Sequence, residues 1–497
     1  MTNYLRQILT YFRNLTLNSA GVSRDLYQLI QDRDISRALS MMQDRDDEVD
    51  QAIKEYNPQT HLVMRRPNKF RKGDDPYITE KLPRSRQRYI NEVELFFLLG
   101  NDIIWSKKEG DDDAYKLFTD FLSEQHFNSR IRQAKRLAGA ETESAMLLHI
   151  DRNDDTNEKQ AKLVVLARST GYRLRPLFDQ YGNLTAFAYG YVTKERGQSI
   201  QHWDFQTPKI LAYCRKGALG WETEIYPNPT GKINVIYFQQ PKAWDGVEPR
   251  IHREEMLDSK TGDTNNYFSD PIATATADVI DAMVDPAKPG KLIQLAGPKS
   301  SFSYVNPPQS SQTRADEKRE LANSILFDTF TPDFDVEKMR GFGTLSGTAI
   351  RNSFILGYIK RENRLETYDE LVGRFRNVVL ATLAFFHPEK KIAIEQLVVG
   401  YEFAEPFTDD KTQRWGGITS LYAGGLVSLE TAVTMLALTD APQEEIEKLQ
   451  AQAELTDLRA GVESGDDDGE IESPTPPAGS EPQPPQQNNE PKEEDNE

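Results

Sequence analysis

The sequence predicts an α+β protein with a disordered acidic C-terminal tail. Three patterns in its 497 residues support this prediction. Apolar residues recur at helical spacing through most of residues 1–140, short β-branched and aromatic runs fill 145–240, and helical spacing returns after Asp245. We therefore expect helices in both flanking parts of the folded body and β-sheet between them.

In the first region, residues 23–42 and 85–99 have apolar side chains three and four positions apart, which predicts two helices. Gly100 after the second is a helix-end signal. Three basic clusters also lie here: Arg65, Arg66, Lys69, Arg71 and Lys72; Arg84, Arg86 and Arg88; Arg130, Arg132, Lys135 and Arg136. Each is either a solvated face neutralised by nearby acids or a contact for DNA or a neighbouring subunit.

The middle region contains five runs that predict strands, with turn signals at 179–183 (DQYGN) and 228–232 (NPTGK). The runs are AMLLHI (145–150), AKLVVLARS (161–169), LTAFAYGYVT (184–193), KILAYC (209–214) and KINVIYF (232–238). Their close succession predicts a β-meander within a mixed α+β domain.

In the C-terminal half, Ser269, Asp270 and Pro271 combine a capping residue with a proline in the first turn, which predicts a helix over 269–285. A second helix is expected over about 313–330. Apolar spacing from 350 to 386, with Ser346 as N-cap, then predicts one helix of about forty residues, or roughly 60 Å. A strand over 391–403 and helices over about 410–423, 428–438 and 442–459 follow.

The charge is unevenly distributed along the chain. Residues 463–497 hold twelve acids and one lysine, so they carry −11 of the formal net charge of −18 and leave −7 for the rest. This segment is rich in proline and poor in apolar residues, which predicts disorder over 461–497. The mildly acidic body repels a phosphate backbone at long range.

The motifs of enzymes and metal sites are absent from the sequence. There is no GxxxxGK[ST], HExxH or GxSxG, and Gly341, Gly343 and Gly347 have the wrong spacing for a dinucleotide loop. The single cysteine, Cys214, excludes disulfides, and no apolar run is long enough to span a bilayer. We predict no catalytic residue, no metal, no cofactor, no secretion signal and a chain made in a cytosol.

Several segments together, in this order, resemble the portal proteins of long-tailed phages over roughly residues 55–455. They are NEVELFFLLGNDIIW (91–105), NPTGKINVIYFQQP (228–241), SDPIATATADVIDAMVD (269–285), the stretch 327–379 and GLVSLETAVTMLALTDAPQEEIEKLQ (425–450). Ser346, Gly347 and Ala349 take the place of that family's Ser-Gly-x-Ala. Ser428, Thr431 and Ala432 match its Ser-x-x-Thr-Ala.

The resemblance implies a portal fold with named parts. These are a wing (1–268), helical stem (269–331) with a small clip insert (about 287–311), tunnel loop, long tunnel helix and return strand (332–408), helical crown (409–460) and acidic tail (461–497). The tunnel-loop residues facing DNA would be Glu337, Lys338, Arg340, Gly341, Phe342, Gly343, Thr344, Ser346 and Gly347. Those of the clip that dock terminase would be Lys288, Lys291 and Lys299.

The resemblance also implies the partners. The family forms a closed ring, generally of twelve subunits, that contacts the large terminase subunit, the major capsid protein, scaffolding protein and head-completion or adaptor proteins. Double-stranded DNA passes through it without sequence preference, and no membrane is involved. The ring would assemble in the host cytoplasm and remain at the capsid portal vertex of the virion, where it would serve genome packaging and ejection.

Three alternatives remain open from the sequence. Arg340 either touches DNA phosphates or forms a salt bridge to Glu337 or to an acid of a neighbouring subunit. The chain is either a channel or a scaffold or adaptor protein that needs no glycine-rich loop before Ser346. A nucleic-acid enzyme would need clustered carboxylates on a β-core, and the strands between 145 and 240 are poor in them.

Overall fold

A computed structural model describes residues 24–68, 78–152, 159–195, 197–218, 220–269, 273–275, 302–304, 311–335, 351–407, 411–436, 443 and 445–452. The chain divides into two units, Met1–Thr408 and Asp409–Glu497. Helices and antiparallel sheets both contribute to the first unit, which confirms the predicted α+β mixture. The predicted disordered tail lies outside the described residues.

The first unit contains ten of the described α-helices and twelve strands. Its helices are α1 (Leu26–Gln31), α2 (Ile35–Ser40), α3 (Asp46–Tyr56), α4 (Arg86–Leu99), α5 (Asp112–Glu124), α6 (Phe127–Glu141), α7 (Glu248–Ser269), α8 (Ser311–Asp328), α9 (Ile355–Phe386) and α10 (Lys391–Glu395). Its strands are β1 (Ile103–Glu109), β2 (Glu143–Arg152), β3 (Lys159–Leu166), β4 (Arg173–Phe178), β5 (Leu184–Glu195), β6 (Gln198–Gln206), β7 (Ile210–Gly217), β8 (Gly220–Pro227), β9 (Val235–Gln239), β10 (Ala273–Ala275), β11 (Phe302–Tyr304) and β12 (Val398–Phe403).

The second unit is described by itself. It contains α11 (Lys411–Ala423) and α12 (Leu429–Leu436), and residues 445–452 are also helical. These three agree with the predicted helices, although the end of the third lies outside the described residues. Ser428 caps α12, because its Oγ accepts from the Thr431 backbone N–H at 3.2 Å.

The strands form two larger antiparallel sheets rather than one meander. Strands β4 to β8 follow one another in a five-stranded meander, whereas β2 lies between β3 and β9 in a three-stranded sheet. All five predicted strand runs overlap strands, although residues 167–169 and 232–234 lie outside them, and β4, β6 and β8 of these sheets were not predicted. Buried side chains of both sheets, Phe187 and Val235 among them, share one core cluster. The two sheets therefore pack against each other.

The predicted helix over 23–42 is wrong in its continuity, because two short helices replace it. Asp25 opens α1 with a capping box, in which its carboxylate accepts from the Gln28 backbone N–H at 2.7 Å. Arg33 then adopts a left-handed φ of 61° between α1 and α2. Arg24 fixes this turn, with ion pairs of 2.9 Å to Asp32 and 2.8 Å to Asp34.

The predicted helix beginning at Ser269 is also wrong where the structure describes it. Ser269 is the last residue of the 22-residue helix α7, not the cap of a new one. Residues 273–275 form strand β10, with Thr274 paired to Ser303 of β11. A proline is also common one or two residues after a helix, because it cannot continue the helix, so this signal does not by itself mark a helix start.

Helices α7 and α8 pack antiparallel to each other. Ion pairs run along the contact: Arg253 lies 2.8 Å from Glu317, and Lys318 lies 2.5 Å from Asp258. Arg314 reaches the Thr264 hydroxyl at 3.4 Å. The described part of the predicted helix at about 313–330 is confirmed as α8. Strands β10 and β11 lie in the sequence between these two helices.

Helix α9 forms the centre of the main core, as its apolar spacing predicts. Its 32 residues span about 48 Å, less than predicted, because a turn at Phe354 separates this helix from helical residues 351–353. Phe375 is buried and stacks on Phe127 of α6, with ring centroids 4.4 Å apart. The predicted strand at 391–403 is a short helix, α10, followed by β12, so only its second half was right.

Candidate functional site

The residues predicted to face DNA lie outside the described residues. This holds for Glu337, Lys338, Arg340, Gly341, Phe342, Gly343, Thr344, Ser346 and Gly347, and equally for the predicted clip residues Lys288, Lys291 and Lys299. The structure does describe the chain up to Asp335 and again from Arg351. The described part of this site therefore consists of the two ends of segment 336–350 and the groups that hold them.

Both ends of this segment are fixed in one group of rings, here called the aromatic cluster: Phe96, Phe97, Phe334, Phe354, Tyr358 and Phe407. Phe334 precedes the segment and Phe354 follows it, yet their ring centroids lie 5.0 Å apart. Phe407 stacks on Phe354 at 5.2 Å. Such contacts exceed the value of simple burial by about 1 kcal/mol each. Segment 336–350 thus leaves and rejoins the body at nearly the same place.

Helix α9 comes unusually close to α4 beside this cluster. A Cβ atom added to Gly357 would lie 2.3 Å from Cζ of Phe97. Any larger residue would displace the ring or the helix, so glycine is required here by the close approach and not by its backbone angles. This contact sets the first turn of α9 directly against the ring of Phe97.

Polar groups join the aromatic cluster in anchoring the chain just before segment 336–350. The Tyr89 hydroxyl donates to the Pro332 carbonyl at 2.8 Å and accepts from the Phe334 N–H at 3.0 Å. Helix α8 ends just before, with Phe330 in a left-handed conformation at φ 49°. The Thr331 N–H donates to the Leu326 carbonyl at 2.8 Å, which gives a Schellman-type helix end.

A buried charge cluster lies beside the anchor and joins three helices. Glu94 of α4 accepts from Lys135 of α6 at 2.6 Å and from Arg364 of α9 at 2.8 Å. Lys360 of α9 lies 3.5 Å from its other oxygen. Glu94 and Lys135 have fully buried side chains. We call Glu94, Lys135, Lys360 and Arg364 the charge hub.

The three cations of the hub share a single carboxylate. Burial alone would raise the pKa of Glu94, but the charges of Lys135, Lys360 and Arg364 outweigh it and lower that pKa to about 2. Burial lowers the pKa of Lys135 and takes the pKa of Lys360 down to about 8, because one carboxylate compensates the cations incompletely. Glu94 is thus held ionised, and Lys360 is poised to lose its proton at mildly alkaline pH.

A second set of ion pairs attaches the segments around 61–66 and 80–86 to an acidic stripe on α7, formed by Glu254, Glu255, Asp258 and Asp263. Its salt bridges are Arg66–Asp263 at 2.6 Å, Arg84–Glu254 at 3.3 Å and Arg86–Glu254 at 2.8 Å. Elsewhere, Arg132 pairs with Asp102 and Arg136 with Glu92. For these cations, the ion pairs agree with the first alternative, a face neutralised by acids of the same chain.

His61 contacts the stripe through one ring nitrogen and the end of α3 through the other. Nδ1 lies 2.6 Å from Glu255 Oε1, and Nε2 lies 2.7 Å from the Glu55 carbonyl oxygen. Burial lowers the pKa of His61, but these two acceptors outweigh it, and the net pKa is raised. Two acceptors can be satisfied together only by the imidazolium, which donates from both nitrogens.

Another buried carboxyl, remote in sequence from the loop ends, lies on the five-stranded sheet. Asp204 of β6 is paired in register with Tyr189 of β5. Burial raises the pKa of Asp204 to about 7, although hydrogen bonds from Tyr189 and Tyr191 favour its ionised form. In the parts of the chain that the structure describes, no group of three or more His, Cys, Asp or Glu side chains is placed to hold a metal ion.

The sequence signals for these anchors were weak. Glu94 is the one acid in the otherwise apolar run 93–99, and that position is a usable sign of a buried ion pair. Lys135 was instead grouped with its basic neighbours, although its side chain is fully buried. Phe334, Phe354 and Phe407 lie too far apart in sequence for any local pattern to bring them together. Among the described helices, none has an apolar stretch long enough to cross a bilayer.

Comparison with known proteins completes the description of the site. No curated protein matches the chain. One matching solved structure, described as "Neck of native GTA particle computed with C12 symmetry", is 11% identical, with a TM-score of 0.37, and the match covers 71% of this chain and 91% of that chain. The family described as "Phage portal protein, SPP1 Gp6-like" matches residues 38–457. Because that match spans far more than half of the sequence, the chain belongs to the SPP1 Gp6-like family of phage portal proteins.

Proposed function

We propose that this chain forms a ring, generally of twelve copies, at the portal vertex of a tailed-phage virion. DNA enters the capsid through its axial channel during packaging and leaves through it during ejection. The family match over residues 38–457 carries this proposal. Exposed apolar side chains add support, since Phe327 is 65% and Ile355 52% exposed in a single copy. A closed ring is a way to cover such surface.

We assign the parts of the ring on the basis of the fold, with one revision. We assign the stem to the antiparallel pair α7 and α8, so its first helix is Glu248–Ser269 instead of the expected 269–285. The insert between these helices is then the clip. The wing comprises the sheets and the helices around α9, and the crown is the second unit.

In this proposal, segment 336–350 faces the DNA. The aromatic cluster holds both of its ends, so the residues between them can extend toward the channel from one fixed base. Lys338 and Arg340 touch phosphates transiently, whereas Gly341 and Gly343 allow the backbone to change conformation as DNA passes. These contacts read no sequence, and they stay weak because strong contacts would stall translocation.

The clip and wing provide the docking surfaces. Lys288, Lys291 and Lys299 of the clip are proposed to meet the large terminase subunit, which supplies the ATP hydrolysis that the ring itself does not perform. Head-completion or adaptor proteins take its place after packaging. The major capsid protein surrounds the wing, and scaffolding protein recruits the ring during assembly in the host cytoplasm.

Electron microscopy of the purified full chain, with native mass spectrometry to count subunits, tests the central proposal. We expect closed rings with a central hole wide enough for duplex DNA. A stable monomer or an open filament at all salt concentrations would instead favour a scaffold or adaptor protein without a channel.

Substitution of Lys338 and Arg340 by glutamine tests the DNA-facing assignment. Rings should form as before, and packaging should become less dependent on salt concentration, because fewer phosphates are neutralised during transit. The matched control is Lys391→Gln, an exposed lysine that pairs with Glu395 on α10. Packaging identical to wild type at every salt concentration would show that these two cations do not touch DNA, as expected if Arg340 pairs with Glu337.

A further inference from the structure

We propose that Lys360 is a positioning residue that holds the turn at 329–331 and so fixes the direction in which the chain leaves helix α8 toward segment 336–350. The role of that segment rests on the proposed function. The contacts of Lys360 do not, and they can be tested separately.

The turn needs an external support because its backbone is strained. Phe330 has a φ of 49°, a region that bulky residues other than glycine rarely adopt. Such strain persists where the surroundings impose it. Thr329 and Thr331, on either side, are buried, and their hydroxyl oxygens are 2.9 Å apart. This hydroxyl pair is the point at which another side chain can hold the turn.

Lys360 supplies that contact from α9. Its Nζ lies 3.2 Å from the Thr331 hydroxyl, and 3.5 Å from both the Ile90 carbonyl oxygen and Glu94. Its closest partner is therefore the turn and not the carboxylate. One ammonium group thereby links the end of α8 to α4 and α9.

The other hub residues show that Lys360 is not required to neutralise Glu94. Lys135 and Arg364 already lie within 2.8 Å of that carboxylate. A third cation is redundant for charge balance, and burying it is unfavourable because like charges repel. The contact with the Thr331 hydroxyl gives this buried lysine a role that charge balance does not.

The charged groups around Lys360 also define a pH test. They are Glu94 on α4, Lys135 on α6 and Arg364 one turn farther along α9. The pKa of Lys360 is lowered to about 8 by burial and by the two neighbouring cations, although Glu94 opposes this. Deprotonation removes the charge that strengthens the hydrogen bond to Thr331. The hold on the turn should therefore weaken as pH rises through about 8.

Hydrogen–deuterium exchange on the assembled full-length rings tests the proposal. The peptide covering 329–334 reports the Thr331 and Phe334 amides, which donate to Leu326 and Tyr89. In wild type, the protection of these two amides, corrected for intrinsic exchange, should decrease as pH rises from 6.5 to 9.5. Lys360→Met should raise exchange roughly tenfold at pH 6.5 and remove the pH dependence.

Thr331→Val removes the hydroxyl while keeping the side-chain shape, and it provides a second route. Because it also removes the hydroxyl contact with Thr329, it should raise exchange at least as much as Lys360→Met. The double variant should exchange no faster than Thr331→Val alone, because Lys360 then has no partner left in the turn. Lys391→Met is the control on α10. Wild-type protection that does not change with pH, or a double variant with additive effects, would overturn the proposal. So would an equal increase in exchange within α6, which indicates general destabilisation.

Packaging by the same rings separates this inference from the proposed function. Lys360→Met rings with faster exchange and impaired packaging support both. Normal packaging with faster exchange would refute the link from the turn to DNA passage while confirming the contact. If wild-type chains form no ring, the proposed function fails, and the exchange experiment on the chain as it exists still decides the contact.

Discussion

Replacement of Glu94 by glutamine should destabilise this protein by about 3 kcal/mol at neutral pH. The pKa of Glu94 is lowered from 4.5 to about 2, and each pKa unit corresponds to about 1.4 kcal/mol. Independently, removal of one partner from a buried ion pair typically costs about 3–5 kcal/mol. Both figures describe the same loss, because glutamine leaves Lys135 and Lys360 buried without a counter-charge.

The pH dependence has a definite sign. A carboxyl whose pKa is lowered in the folded state contributes its full stability above the unfolded value of 4.5 and loses it as pH falls toward 2. The difference between wild type and Glu94→Gln should therefore be largest at neutral pH and should shrink through this acid range.

Urea unfolding followed by circular dichroism measures the effect, at one protein concentration so that ring assembly contributes equally. Glu92→Gln is the matched control on the same helix. Its carboxylate pairs with Arg136 at the surface, where both side chains are more than 40% exposed, so we expect a loss of less than about 1 kcal/mol. If the two variants have equal free energies of unfolding, the charge hub does not have the strength argued here.

Three further predictions concern other sites. Asp204→Asn should stabilise the protein by up to about 4 kcal/mol at pH 8, because wild type must then bury an ionised carboxyl whose pKa is raised to about 7. Urea unfolding should show that this gain in stability disappears near pH 4. Gly357→Ala should destabilise the protein by about 1–3 kcal/mol and lower Tm, because the added methyl group overpacks against Phe97. Gly416→Ala has open space around it and should raise Tm slightly. Equal changes in Tm would contradict the close approach of α9 to α4. Truncation after residue 460 should leave ring formation unchanged in electron micrographs, and loss of rings would give the acidic tail a structural role.

Much of the fold could be predicted because local patterns determine it. The buried face of α9, including Tyr368 and Val372, follows the helical spacing of its apolar residues. The turns at 179–183 and 228–232 formed where glycine and asparagine permit them: Gly182 and Gly231 both have positive φ. In these cases the signal and the structure concern the same few residues.

The failures have a common physical cause, which is that tertiary contacts override local preference. Strand β8 is largely exposed and mixed in polarity, so it lacks an apolar run, yet it pairs along its whole length with β7. Residues 273–275 pair with 302–304 across an insert that no helical pattern reveals. The anchors of the candidate site are long-range in the same way, because Tyr89 holds Phe334 and Glu94 holds Arg364.

The ribbon formed by β1 and β12 has a consequence for the timing of synthesis. It pairs Ile103 with Phe403, and both side chains belong to the main core with α9. A ribosome adding about 5–20 residues per second needs roughly 15–60 s to synthesise the chain from residue 103 to residue 403. Until then, β1 lacks the strand with which it pairs, although α4 can already pack against α6 through Glu94 and Lys135. Such a non-local topology folds slowly, so a nascent chain cannot present a finished surface to its neighbours before nearly all of its body has been made.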